Sequence, residues 1–117
     1  MIELALPYPP TINHYYGQKR NGGKFIKTRG QLFRQEVSMI IKGANIQTLE
    51  GDLCITIHMY PPDKRKRDID NINKALFDAL EHAQVFINDS QITELHSIKR
   101  QPVKGGMVRV RLEKAVS

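Results

Sequence analysis

The sequence predicts an α+β fold: a single small domain, residues 1–117, in which a mixed β-sheet is flanked by two main helices. Three observations carry this. Short apolar–polar alternations recur along the chain, as in "LCITIHMY", where Leu53, Ile55, Ile57 and Met59 alternate with Cys54, Thr56, His58 and Tyr60. Two longer segments instead repeat at helical spacing. The elements follow in the order β, α, β, α, β, β, without an internal repeat or a linker, and 117 residues suffice for one core.

Taken in order, "IELALP" reads as a strand through Ile2, Leu4 and Leu6. The following stretch, "PYPPTINHYYGQKRNGGKF", is rich in proline, glycine and tyrosine and reads as an irregular loop with a turn at Asn21-Gly22-Gly23. Tyr8, Tyr15 and Tyr16 stand beside Lys19, Arg20 and Lys24, a mixture suited to stacking on unpaired bases and holding phosphates; packing of the tyrosines on the core is the competing reading. Thr28 and Gln31 fit a capping box before a helix over about residues 29–43, with Leu32, Phe33, Val37, Ile40, Ile41 and Ala44 on its apolar face. After the strand "LCITIHMY", halted by Pro61-Pro62, a second helix begins with Asp70 as N-cap and buries Ile72, Ala75, Leu76, Ala79, Leu80 and Ala83. "VFINDSQI" is a short apolar segment ending in a turn at Asn88-Asp89-Ser90. "ITELHSIKR" and "MVRVRLE" read as strands joined in a hairpin across "QPVKGG", with Val108, Val110 and Leu112 inward and Arg109 and Arg111 outward.

Composition narrows the function. Lys and Arg total 18 against 12 Asp and Glu, a net charge of +6, which favours polyanionic partners. No apolar run approaches the roughly 18–20 residues of a membrane span, and "MIELALPYPP" lacks the form of a secretory signal. Cys54 is the single cysteine, so an intrachain disulfide is excluded and a reducing cytoplasm is expected. His58 reads as a structural histidine.

The densest charge lies in "KRKRDIDNINKALFDAL", residues 64–80, where Lys64, Arg65, Lys66 and Arg67 abut Asp68 and Asp70. In an extended segment residues two apart project the same way, so Asp68 and Asp70 are expected on one side, with Lys74 one helical turn beyond Asp70. Paired carboxylates suit Mg²⁺, which takes one or two protein carboxylates and fills its shell with water and substrate phosphate. The spacing is equally compatible with a structural role: Asp70 as helix cap, Asp68 paired with Arg67 or Arg65, and Asp78 paired with Lys74.

"RKRDIDNINKALFDAL", followed by "VFINDSQI" and the basic tail "QPVKGGMVRVRLE", resembles the RusA family of Holliday-junction resolvases. "LPYPPTINHYY" and "GQLFRQEV" resemble its amino-terminal half, so the likeness covers nearly the whole chain. The resemblance implies a homodimeric, Mg²⁺-dependent endonuclease, with Mn²⁺ as a substitute, that resolves four-way DNA junctions by paired nicks in the bacterial cytoplasm, encoded by host or phage. It places metal-binding aspartates at Asp68, Asp70 and Asp89 and an active-site lysine at Lys74. Asp89 enters the site only through the resemblance; alone it reads as a turn residue. Where some relatives carry two aspartates in that turn, this chain has Asn88-Asp89. Branched DNA is then the expected partner, held by Lys64, Arg65, Lys66, Arg67, Lys19, Arg20, Lys24, Arg29 and the tail arginines, with Tyr15 and Tyr16 near the branch point; neither a membrane nor a small-molecule cofactor is expected. The alternatives are a junction-binding module without cleavage, which would gain nothing from acids beside phosphate, and a metal-dependent ribonuclease indifferent to branching.

Overall fold

The computed structural model describes residues 1–116. Its main sheet has four strands in the order β1-β6-β4-β5: β1 Ile2–Pro7, β4 Leu53–Tyr60, β5 Ile92–Lys99 and β6 Met107–Lys114. β6 runs antiparallel to both β1 and β4, whereas β5 runs parallel to β4. The sheet is therefore mixed, as the sequence predicts. A second, two-stranded sheet joins β2 Tyr16–Gln18 to β3 Lys24–Ile26.

One face of the main sheet is covered by α2 Thr28–Gly43 and α3 Asn73–His82. Period-two alternation sends Leu4, Leu6, Ile55, Ile57, Met59, Val108, Val110 and Leu112 to that face, where they pack with Phe33, Val37 and Ile41 of α2 and Leu76, Ala79 and Leu80 of α3. Complete burial of a side chain such as Leu76 contributes about 1.5–3 kcal/mol. The predicted α3 stripe is the observed one, with Ala83 half-buried at its end. On α2 the apolar face is narrower than expected: Leu32 is 53% exposed, and Ala44 is the exposed C-cap.

Several local expectations are corrected. β5 and β6 form no hairpin, because β4 lies between them. Burial explains the order. β6 buries Val108, Val110 and Leu112 and is flanked on both sides, while the largely exposed β5 takes the edge. The connection crosses the end of β4, with Val103 N–H donating to Pro61 O at 2.9 Å, and turns at Gly105 and Gly106, whose φ values are +82° and +73°. Side-chain capping by Thr28 is absent: it is the first residue of α2, and Gln31 Nε2 donates instead to Ile26 O at 3.3 Å. Asp70 does not cap α3, whose N-cap is Ile72. The segment before it is not extended; Asn71 N–H bonds Asp68 O and Asn73 N–H bonds Asp70 O, both at 3.3 Å, in two successive turns. The expected irregular loop contains the short helix α1, Ile12–Tyr15, and the β2–β3 hairpin, whose tip closes through Lys19 N–H to Gly23 O with Gly22 at φ +87°.

Candidate active site

α3 sets the geometry. Lys74, Asp78 and Glu81 stand at i, i+4 and i+7, one stripe of the helix opposite its buried face. Lys74 Nζ lies 3.9 Å from Asp89 Oδ2, and Glu81 Oε1 accepts the Asp89 backbone N–H at 2.9 Å. Asp89 opens a 3-10 turn, Asp89–Gln91, held by a capping box: Asn88 Oδ1 accepts from Ser90 N–H at 2.8 Å, and Gln91 Oε1 accepts from Asn88 N–H at 3.0 Å. Gln91 Nε2 also donates to Leu49 O and Gly51 O, tying the turn to the chain ahead of β4. Asn88 is thus a structural cap for the acid beside it.

Asp78 in the middle of the stripe has a different partner from the one expected. Its Oδ2 accepts from Arg34 Nη2 at 2.6 Å and Nε at 2.9 Å, and from the Tyr15 hydroxyl, which also accepts from Arg34 Nε at 2.8 Å. This triad fastens α2 to α3. It also corrects the assignment of Tyr15 to DNA stacking: the ring is fully buried and its hydroxyl committed, with burial and then Asp78 raising its pKa strongly. Tyr16, half-buried, packs edge-on to Tyr15 with ring centroids 4.7 Å apart. Its phenol is raised first by burial and then by Asp78, with a smaller influence from Asp89. Gly30 of α2 permits the close approach of this corner, since a Cβ there would lie 2.8 Å from Tyr15 O.

Asp68 and Asp70 are exposed on the turns leading into α3, and neither forms an ion pair among the described residues. The expected pairing of Asp68 with Arg65 or Arg67 is replaced by Asp63, whose carboxylate lies 3.3 Å from Arg65 Nε and 2.8 Å from Arg67 Nη2. Those interactions, led by the Arg65 backbone N–H, hold the Asp63 pKa below its usual range. Lys74 and Asp89 meet, but the carboxylates of Asp68, Asp70 and Asp89 do not converge to within 4.8 Å of one another; like charges on an exposed rim repel and are solvated separately.

The predicted cations differ in exposure. Lys19, Arg20 and Lys24 are exposed at the β2–β3 tip, and Arg29 on the first turn of α2. Lys64 and Lys66 are exposed, whereas Arg67 is turned inward, donating to Asp63 O and Arg65 O as well. On the sheet face away from the helices a concavity of about 480 Å³ is lined by Arg100, Arg109 and Arg111 with His58, Tyr60 and Glu3. Arg100 Nε donates to His58 Nδ1 at 3.0 Å, and burial with the nearby arginines lowers the His58 pKa. The Arg34–Asp78 tie between α2 and α3 and the Glu81 contact to the Asp89 backbone were not foreseen from the sequence. The i, i+4, i+7 spacing from Lys74 was visible for Asp78 and Glu81; Arg34 left no comparable trace.

The family model described as Endodeoxyribonuclease RusA matches residues 7–113. Similar proteins include the crossover junction endodeoxyribonucleases of Enterobacteria phage 82 and Shigella sonnei, each 37% identical over 110 residues, and that of Escherichia coli K12, 36% identical over the same length. In each case the alignment covers 93% of this chain and 91% of the relative. A match of this extent, running through the basic segment, α3 and the Asn88–Asp89 cap alike, means that the chain belongs to the RusA family of endodeoxyribonucleases.

Proposed function

We propose that this protein is a structure-selective DNA endonuclease that resolves four-way junctions by paired, symmetric nicks, acting as a homodimer with Mg²⁺ in recombination and repair in the bacterial cytoplasm. The observation that carries this reading is the meeting of Lys74 on α3 and Asp89 on the turn after it at 3.9 Å, with Asp68 and Asp70 exposed on the turns leading into α3.

The acids fit the metal chemically: all three offer hard carboxylate oxygens, and Asp68 and Asp70 are unpaired among the described residues. Asp68, Asp70 and Asp89 would hold Mg²⁺, which when bound supplies charge neutralisation for phosphate and activation of water. Lys74, 57% exposed, directs its ammonium at the same rim, where it stabilises negative charge growing on phosphoryl oxygens. Glu81 and the Asn88–Gln91 cap keep Asp89 in place. One chain holds one such site, so two symmetric nicks call for two copies related by a two-fold axis. Lys64, Lys66, the β2–β3 tip and Arg29 hold backbone phosphates, which positions DNA without reading its sequence.

The separation of the three acids gives some weight to a second reading, a junction-binding module without cleavage. One assay decides: a synthetic mobile four-way junction and a linear duplex of the same sequence, with Mg²⁺ or EDTA, for wild type and Asp70→Asn. Paired nicks in the junction alone, lost with EDTA and in Asp70→Asn while binding persists, are the expected result. Tight binding with no nicks would establish the second reading, and equal cleavage by Asp70→Asn would remove the metal site.

A further inference from the structure

Away from the acidic rim, a separate group of ligating side chains lies on the sheet face that the helices leave uncovered. β4 and β5 pair in parallel register, with Cys54 opposite Glu94 and Thr56 opposite His96. Alternation along β5 sends Glu94 and His96 to one side, and Cys54 stands beside them on the neighbouring strand. One ligand atom from each of Cys54, Glu94 and His96 lies within 4.8 Å of the other two. Cys54 Sγ donates to Glu94 Oε2 at 2.9 Å, and His96 Nε2 is 3.3 Å from the same oxygen.

We propose that Cys54, Glu94 and His96 form a binding site for Zn²⁺ or a similarly soft divalent cation, distinct in residues and in donor chemistry from the acidic rim.

The distances suit the metal. Tetrahedral zinc, with bonds of about 2.0–2.3 Å, spaces its ligand atoms about 3.3–3.6 Å apart. The His96–Glu94 separation already meets this, and the thiol–carboxylate pair opens by only roughly 0.6 Å to do so. Thiolate and imidazole favour zinc over magnesium, which takes oxygen ligands. Charge balances as well: one thiolate and one carboxylate neutralise one dication, and the thiol proton, now shared with Glu94, leaves to solvent on binding. Glu113 of β6, opposite Cys54 on its other side, adds negative potential. Glu94 and His96 are exposed, so a fourth position faces water. A cysteine serving only as core filling needs no carboxylate and imidazole converging on its sulfur. Because the three ligands come together only in the native register of two strands, the bound cation fastens the edge strand β5 and favours the folded state.

The test uses the full chain, titrated with Co²⁺ as a spectroscopic probe, then with Zn²⁺ in competition, alongside thermal unfolding with and without Zn²⁺. With the acidic rim kept filled by excess Mg²⁺, one Co²⁺ per chain with thiolate-to-metal charge-transfer absorption, displaced by Zn²⁺, and a rise in Tm with Zn²⁺ are expected. His96→Gln should weaken binding about 100-fold or more, since even outer partners of metal ligands are worth about 10–100-fold. Cys54→Ser should abolish the charge-transfer band, and Asp70→Asn should leave both untouched. Saturation without a thiolate band, or an affinity unchanged in His96→Gln, overturns the site. Should Cys54→Ser fail to fold, the exposed His96 still decides the matter.

Discussion

Lys74→Ala separates catalysis from folding more cleanly than any other change at the rim. Lys74 and Asp89 are 3.9 Å apart, with side chains 57% and 38% exposed. Their attraction in water is about 1 kcal/mol, and exposed pairs deliver only about 0.2–1 kcal/mol after ordering and salt screening. Neither residue is buried, so truncation opens no cavity. Loss of Lys74 should therefore lower the unfolding free energy by less than about 1 kcal/mol, a small shift of the urea midpoint at constant slope. Its effect on chemistry should be far larger. Removing one preorganised positive group from a phosphoryl-transfer site costs about 10²–10³-fold in rate. Single-turnover cleavage of a labelled junction gives that rate, and gel shift in EDTA gives binding, which should weaken only slightly. A cleavage rate within about 3-fold of wild type would refute the catalytic assignment, being far short of what such a group contributes. A stability loss above about 2 kcal/mol would show that the pair is structural after all.

Asp78→Ala should do the reverse, costing about 2–3 kcal/mol by urea denaturation, because the Arg34 guanidinium and the Tyr15 hydroxyl lose a shared acceptor; water reaching the Arg34 and Asp78 side chains, 25% and 20% exposed, moderates the cost. An unchanged midpoint would mean that the triad does not fasten α2 to α3. Replacing Lys64 and Lys66 together with Gln should reduce the salt slope of junction binding by roughly 2, about 0.9 for each phosphate that is no longer neutralised, and an unaltered slope would show that they face water only. His58 should titrate below its ordinary 6.5 by NMR, and Arg100→Gln should move it upward. With the folded pKa depressed, the unfolded chain binds the proton more tightly. The stabilising effect is then complete above about pH 6.5 and fades as pH falls through the folded value; a titration at or above 6.5 would contradict the burial of His58 and its crowding by Arg100, Arg111 and Arg109.

Local periodicity made most of the fold legible. The stripe from Ile72 to Leu80 and the alternation from Leu53 to Tyr60 are statements about which residues avoid water, and the structure buries them accordingly. Strand neighbours were not legible in the same way. Nothing local tells β5 that its partner is β4 rather than β6; the choice follows from the central position that the fully buried residues of β6 demand. Caps were misassigned for a related reason. Thr28 and Asp70 have suitable side chains, but tertiary packing sets the helix starts, while the capping box that does form, at Asn88 and Gln91, serves a single 3-10 turn. Tyr15 read as a loop aromatic because no sequence rule reveals that Arg34 and Asp78, 19 and 63 residues away, supply its polar partners.

The run of four cations is anchored at one end by Asp63. Arg65 and Arg67 turn back onto Asp63, and Lys99 at the end of β5 donates to the Arg67 carbonyl. Lys64, Arg65 and Lys66 remain exposed. Arg67 thus folds the loop while the other three cations face outward, Arg65 touching Asp63 from the exposed side. An unanchored run would repel itself into an extended, mobile strand and leave the acids beyond it poorly placed. Because Asp63 takes the arginines, Asp68 is spared that pairing and stays exposed beside Asp70 at the entrance to α3. The same short segment therefore presents exposed cations and exposed carboxylates ahead of α3, and Asp63, by taking Arg67, keeps the two signs of charge from cancelling.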